Sequence, residues 1–502
     1  MDIRGYIEEP LRRIPVIDEV DVLVAGGGPA GVGAAIAAAR EGARTLVVER
    51  YGFLGGNLTQ AMVNPMFTFH DEKGVQVIRG VAGELVDRLA RQNLSPGHVT
   101  DLTFDNASMT PFDPEGMKVT LLDMVEEAGA EILLHSSVSD VVRVENRLDA
   151  LVLESKSGRF AVRAKVFVDC SADADLVARA GAPFIKGREG DGAMQPVTLF
   201  YRIAGVDNDA LRGWMKAHRE VLKDAPTDEE IDRTTHIALL GLRDLIQEAV
   251  ASGEFPADAA PRILMYQLTR PGEFAVNVTR LQGIDGTDVR DLTRAELATR
   301  RQARDVHRFL KKHVGGFADS YILDTGVQVG VRETRHIVGD YQLTEDDVLM
   351  GRAFADGIAC GTFAIDIHPP EGKQQIFTGS GKAVYEIPYR ALLPQGLDNV
   401  LVAGRSISAT HTAFGSIRVM ATAMGIGQGA GVAATIMQRK HLSSRQVDVG
   451  EVRSRLLRSG QYLLGSEAET VRDDRLRLER NDGSGANASH YNPFADRTSQ
   501  HG

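Results

Sequence analysis

Residues 26–31 read Gly-Gly-Gly-Pro-Ala-Gly, so Gly26, Gly28 and Gly31 fall at the spacing Gly-x-Gly-x-x-Gly. That spacing can hold a nucleotide diphosphate. The first glycine permits a sharp turn, the second lets phosphate approach the backbone, and the third lets a helix pack closely on a strand. Pro29 and Ala30 stand where the helix would begin, and its free N–H groups and positive end would face the anion. Glu49 follows 18 residues after Gly31. A carboxylate there accepts hydrogen bonds from ribose hydroxyls and repels a 2′-phosphate, which favours FAD or NAD over NADP.

These residues need a β-α-β frame, and the flanking sequence supplies one. An apolar, β-branched run at 20–25 leads into the glycines, an Ala-rich helix extends to about residue 40, Gly42 stops it, and a second apolar strand covers 45–48. The sheet holding both strands is expected to be parallel. Helices are expected at 75–91, where Ile78, Val81, Leu85, Val86 and Leu89 share one face, and at 114–127. Strands at 132–134, 138–144, 150–154 and 160–168 follow, the last three as an antiparallel meander.

From 186 to 387 the sequence turns more polar. Strand-like runs at 197–203 and 274–278 alternate with amphipathic stretches at 237–250 and 292–314 that read as helices, the pattern of an inserted domain. The expected fold class is α/β: a Rossmann-like binding domain, parallel sheet plus antiparallel meander, with an inserted α+β substrate or cap domain. The expected boundaries are 18–185 and 388–440 for the two parts of the binding domain, 186–387 for the insert and 441–480 for a helical extension. Residues 481–502 contain no Leu, Ile or Val and read as a mobile tail.

Composition narrows the possible functions. The chain has 502 residues, with 57 Lys and Arg against 68 Asp and Glu, a formal charge of −11 and no long basic run, which argues against nucleic acid or an anionic membrane as partner. Two cysteines far apart, Cys170 and Cys360, provide no disulfide framework or redox dithiol, and no His/Cys/Asp/Glu set has metal-ligand spacing. A cytoplasmic setting without a catalytic metal is expected. The stretch 419–437 is apolar but holds Gln428, two threonines and four glycines, so it reads as a helix buried in protein rather than a membrane span.

A second glycine turn directly after Glu49 and a glycine-rich helix near the C-terminus separate FAD from NAD. With them the chain resembles the FAD-dependent oxidoreductases of the glutathione-reductase-like flavoprotein superfamily, related to the flavin parts of heterodisulfide-reductase-type and fumarate-reductase-type proteins. The likeness spans roughly 21–437. It rests on the fingerprint, LGGNLT at 54–59, VDCSADADLVARAGAP at 168–183, GVRETRHIVGDYQLTEDDVL at 330–349, FAIDIH at 363–368 and IPYRALLPQGLDNVLVAGRSIS at 387–408.

The resemblance implies cofactor contacts at Arg50 beside Glu49, at Gly55, Gly56, Asn57, Leu58 and Thr59 near the pyrophosphate and ribityl chain, and at Val138. It further implies contacts from Cys170, Ser171, Ala172 and Asp175 on the adenine and phosphate side, where the family favours glycine in place of Ala172 and Ala174. Gly404 and Arg405 stand where aromatic hydroxylases show Gly-Asp, which weakens a hydroxylase reading. Ser416 and Ile417 would precede a helix that opens after Arg418 and points its positive end at the flavin N1/C2 edge. Its Gly425, Gly427 and Gly429 either serve that approach or let helices pack.

Such an enzyme needs a base to take a proton while hydride leaves to flavin N5, and a cation for an anionic substrate or developing charge. His411, His368, Arg418, Arg390 and Arg332 are the candidates, with Tyr389 nearby. His368 gains weight from Asp366 two residues earlier, on the same side of a strand. Arg332, Glu333, Arg335 and His336 lie within five residues, forming either a site cluster or a solvated charged loop. The expected function is an FAD dehydrogenase or oxidase acting on a small polar molecule. The alternatives are a flavin monooxygenase and a non-enzymatic binding module. No second strand-borne Gly-x-Gly-x-x-Gly is present, so electrons would leave to oxygen, a quinone, a carrier protein or a second substrate. A homodimer is the default assembly.

Overall fold

The computed structural model describes residues 3–101, 106–372, 376–378 and 383–465. The expected tail at 481–502, and the end of the expected extension from 466 on, lie outside the described residues. The central sheet has seven strands. Val16–Ala25 lies parallel to Thr45–Val48 on one side and to Gly158–Asp169 on the other, Glu131–Leu133 extends the first edge, and Val400–Val402 joins the end of Gly158–Asp169 in parallel. Ser137–Val144, Arg147–Ser155 and Gly158–Asp169 form the antiparallel meander. The chain thus returns from residue 400 to complete the sheet it began at residue 16, a Rossmann-like α/β fold.

The first helix, Pro29–Arg40, packs along the C-terminal helix Met420–Lys440 so closely that only glycine fits at the crossings. A β-carbon on Gly427 would stand 1.9 Å from the Ala30 carbonyl oxygen, one on Gly431 2.3 Å from that of Ala34, and one on Gly33 2.3 Å from that of Met424. Gly427 and Gly431 of the C-terminal helix therefore serve packing, as does Gly429 against Ile358, whereas a β-carbon on Gly425 would meet nothing closer than 3.6 Å. Gly427→Ala is expected to destabilise the protein by about 3 kcal/mol or more, because neither backbone can yield without moving a whole helix; a thermal midpoint equal to that of the native chain would contradict this contact. Residues 420–437 are buried throughout. Gln428 is buried there too, and it accepts the Val81 N–H at 2.9 Å and donates to Ser459 Oγ at 3.0 Å. No single helix among the described residues is long and apolar enough to cross a membrane.

A second core forms around a five-stranded sheet in the order Ala238–Gly241, Ile263–Gln267, Phe274–Val276, Tyr201–Ala204, Tyr321–Thr325, covered by the long helix Val289–His313. Two expectations change here. Residues 237–250 are not one helix: Ala238–Gly241 pairs as a strand with Ile263–Gln267, Gly241 and Leu242 turn the chain at φ +153° and +66°, and the helix is Arg243–Ala251. A short buried apolar run has no periodicity that separates strand from helix. The insert also ends well before 387. Arg335–Ile337 pairs with Phe184–Lys186, and Ile358, Ala359, Tyr385 and Ile387 pack in the first core. The helix expected at 75–91 begins only at Val81, after Gly80 at φ +63°.

Candidate active site

Each glycine of the fingerprint has a distinct surrounding. Gly26, at φ +102°, lies so near the Cys170 carbonyl that a β-carbon would sit 2.4 Å from its oxygen, and a β-carbon on Gly31 would sit 1.8 Å from the Gly26 oxygen. Gly28 differs. It caps the helix with ordinary extended dihedrals, and the nearest atom to its β-carbon position is Gly56 Cα at 3.8 Å. No protein atom requires glycine there, so the empty space in front of the helix fits a diphosphate. Gly56, at φ +51°, faces Gly28, and the Gly55 N–H donates to the Gly27 carbonyl at 2.8 Å, which fixes the second glycine turn against the first.

Glu49 ends its strand buried, accepting the N–H groups of Gly27 at 2.8 Å and Tyr51 at 3.0 Å. Arg50 is exposed and donates to Gln328 at 2.8 Å. Asn57 faces the cleft described below, whereas Leu58 is wholly buried and Thr59 donates to the Leu54 carbonyl. Val138 is the second residue of the outer meander strand, two residues after Ser136, whose N–H donates to the Glu49 carbonyl. In the loop after Gly158–Asp169, Ala172 and Ala174 take positive φ of +70° and +51°. The backbone there adopts the glycine-like conformation even with alanine. Cys170 is buried beside Gly26, its thiol pushed up by burial and the neighbouring Asp169. Asp175 pairs with Arg335 at 3.0 Å. Gly404 turns at φ +90°, and Arg405 donates to the Ala172 and Val331 carbonyls and pairs with Asp173, tying this loop to the insert.

From this cradle a cleft runs to the second sheet. Its walls include Asn57, Arg405, Arg418 and Met420 from the binding domain and Thr198, Leu264 and Tyr266 from the insert. Three of the sequence candidates meet in it. His368 Nε2 lies 3.3 Å from Asp366 Oδ2, and Arg418 holds that same oxygen and the Asp366 carbonyl at 3.0 Å. Arg332 donates to the Pro196 carbonyl at 2.6 Å and to Thr198 Oγ1 at 2.8 Å. Burial, reinforced by Arg332, holds the His368 imidazole far below its ordinary pKa. Burial and Arg418 likewise weigh against the charge on Arg332.

Four expected residues lie elsewhere. Arg390 is half exposed and paired with Asp356 at 2.8 Å, a surface ion pair away from the cleft. Ser416 and Ile417 are fully buried, the Ser416 hydroxyl bonding Tyr385 Oη at 2.6 Å and the Phe363 carbonyl, because the short helix His411–Ile417 turns that side into the core. His411 does not line the cleft. Its Nδ1 lies 2.7 Å from Glu333 Oε1, and His336 Nε2 lies 3.4 Å from the same oxygen.

The charged run at 332–336 is thus no solvated loop, since the Glu333 side chain is wholly buried. Burial alone would raise the Glu333 pKa, but bonds to His336 and His411 outweigh it and hold it at about 2. A depressed carboxylate contributes stability above its unfolded value, near 4.5, and loses that contribution as pH falls from there toward 2. Glu333→Gln is expected to lower stability at pH 7 by about 3 kcal/mol, with a difference that shrinks on acidification below pH 4.5. Denaturant melts across pH check this, and a difference independent of pH would refute it.

A strand-turn-helix glycine loop that fits a diphosphate, on a parallel sheet completed by Val400–Val402, is the framework of a dinucleotide-binding protein. Residues 21–456 match the family described as FAD dependent oxidoreductase, and the chain belongs to that family. A thiamine thiazole synthase from Methanococcus vannielii is 31% identical over 142 residues, 28% of this chain and 48% of that protein, so the chain matches about half of that relative's length. A geranylgeranyl bacteriochlorophyll reductase-like protein from Thermoplasma acidophilum aligns over 89% of this chain and 84% of its own at 12% identity, TM-score 0.45. The p-nitrophenol 4-monooxygenase PnpA from Pseudomonas putida aligns over 84% and 80% at 12% identity, TM-score 0.42. The chain is an enzyme, an FAD-dependent oxidoreductase.

Proposed function

We propose that this enzyme oxidises a small polar organic molecule by hydride transfer, as a dehydrogenase or oxidase. The observation that carries the reading is the Asp366–His368–Arg418 cluster in a cleft shared by the diphosphate cradle and the insert. FAD, when bound, supplies the two-electron acceptor at N5. His368, neutral because of its burial, accepts the proton from the substrate's hydroxyl or amine as the hydride departs. Asp366 orients the imidazole and balances its charge once it is protonated, and Arg418 holds the Asp366 carboxylate in place. Phe200, Leu264 and Phe363 exclude water from the reacting centre.

Anaerobic mixing of the reconstituted enzyme with hydroxy acids, amines, sugars and heteroaromatics tests the reading. At least one class is expected to bleach the flavin without added reductant. No bleaching by any class, together with substrate-stimulated NAD(P)H consumption, would replace the reading with a monooxygenase.

A further inference from the structure

Asp366 and His368 do not stand alone on their strand. Ile365–Ile367 pairs with Ile376–Thr378, and the register sets Phe377 directly opposite Asp366. Directly opposed residues of an antiparallel pair project from the same face. The Phe377 ring therefore shares a side with the Asp366 carboxylate, which His368 Nε2 reaches at 3.3 Å. Further rings extend the wall. Phe363 meets Phe377 at 6.2 Å between centroids, Phe67 lies 6.0 Å from Phe363, and Tyr266 meets Phe67 at 5.9 Å. These four rings come from four separate segments, and with Phe200 they line the one cleft that holds His368.

Core packing alone does not account for this wall. Phe200 and Phe363 are buried and Phe377 is half-buried, yet none of the three belongs to the apolar clusters that form the cores of the described residues. Phe67 and Tyr266 take part in a small cluster between the first sheet layers and the insert, and both also face the cleft. A cleft that keeps five aromatic side chains at its surface gains apolar contact when a flat group enters it. An aromatic group gains more than a saturated one of the same size. The wall presents ring edges and faces in turn, with planes at 90° for Phe363 and Phe377 and 65° for Phe67 and Tyr266, and ring pairs in such arrangements attract one another beyond their buried area.

We infer that the substrate carries an aromatic ring seated against Phe363 and Phe377, with the hydroxyl or amine to be oxidised on a carbon attached to that ring and turned to His368. The inference rests on the reading of His368 as the base and names the substrate class for it. The cross-strand pair sets the reach: with Cβ atoms about 5 Å apart, a ring on Phe377 holds a substituent one carbon away beside the Asp366–His368 pair. A group held there lies on the base's side of the cleft, the side the substrate occupies in that reading.

The test is calorimetric titration of the FAD-loaded protein with benzamide and naphthamide, and with their saturated counterparts, so that binding is read without turnover. Saturable binding of at least one aryl amide is expected, at least about tenfold tighter than its saturated partner. That preference is expected to fall about threefold or more in Phe363→Leu and in Phe377→Leu, which keep most of the apolar volume, and to stay unchanged in Tyr321→Leu, an exposed ring outside the cleft. Absence of saturable binding by either aryl amide, equal affinity for saturated and aryl amides, or a preference untouched by both cleft variants would overturn the inference. Loss of FAD affinity in those variants with the aryl preference intact would assign the rings to the cofactor instead. Anaerobic bleaching of the same samples keeps the two readings apart. A flavin bleached by aliphatic hydroxy acids or sugars in an enzyme without aryl preference sinks the aromatic subsite and leaves the dehydrogenase reading standing, whereas aryl preference without bleaching by aryl carbinols or arylmethylamines keeps the ring subsite and sinks the hydride transfer.

Discussion

Gly28→Asp is expected to fold like the native chain and to bind FAD at least about 100-fold more weakly, a loss of about 2.7 kcal/mol or more. Both halves follow from the surroundings of Gly28. Its φ of −70° and ψ of −174° suit any residue, and nothing lies within 3.8 Å of a β-carbon there, so the side chain enters open space in the ligand-free protein. That space lies directly before the first N–H groups of Pro29–Arg40, where a carboxylate would both occupy the diphosphate position and repel its charge. Gly31→Ala is the contrasting variant. Its β-carbon would meet the Gly26 oxygen at 1.8 Å, so it is expected to fail in folding rather than in binding alone. Thermal melts without FAD, paired with FAD titration, separate the two. A Gly28→Asp protein that holds FAD at native affinity would remove the diphosphate from this position.

His368→Ala is expected to slow flavin reduction by substrate about 10²- to 10⁴-fold while FAD binding stays within a few-fold of native. His368 does not belong to the diphosphate cradle; its side chain contacts Asp366, and its backbone N–H donates to Gln195 Oε1. The pH dependence carries the same signature. A base whose pKa is lowered is active above that pKa and loses activity as pH falls through it, so the acid limb of kcat/KM is expected below pH 6.5, the ordinary histidine value. Rapid mixing under anaerobic conditions measures both quantities. Native reduction rates in His368→Ala would exclude it as the base. A matching loss in His411→Ala with no change in stability would move the role to the Glu333 pair.

The two facing glycine turns and the buried Glu49 were legible in the sequence because their parts are local. Gly26, Gly28 and Gly31 lie within six residues, and Glu49 is fixed by one helix and one strand of predictable length. Asp366 and His368 were legible for the same reason, since positions two apart on an extended segment share a side. The meeting of Asp366, His368, Arg418 and Arg332 in one cleft was not. Arg390 and His411 stand in the same glycine-rich region as Arg405 and Arg418, and only the tertiary path decides that Arg390 reaches Asp356 on the surface while Arg418 turns inward.

Glu333 was hidden by its neighbours: flanked by Arg332, Thr334 and Arg335, a fully buried carboxylate looks like part of a hydrated loop. Gly427 and Gly429 were ambiguous because close helix packing and ligand approach both demand the loss of a side chain, and here the Ala30 carbonyl and Ile358 supply the demand.

The most direct measurement is a crystal structure of the chain soaked with FAD. Density is expected for the diphosphate between Gly28 and Gly56, for the adenosine ribose within hydrogen-bond reach of Glu49, and for the flavin ring entering the cleft between Asn57 and Arg418 with one face open toward His368. A ring lying outside that cleft, or a face sealed from His368 by protein, would contradict it.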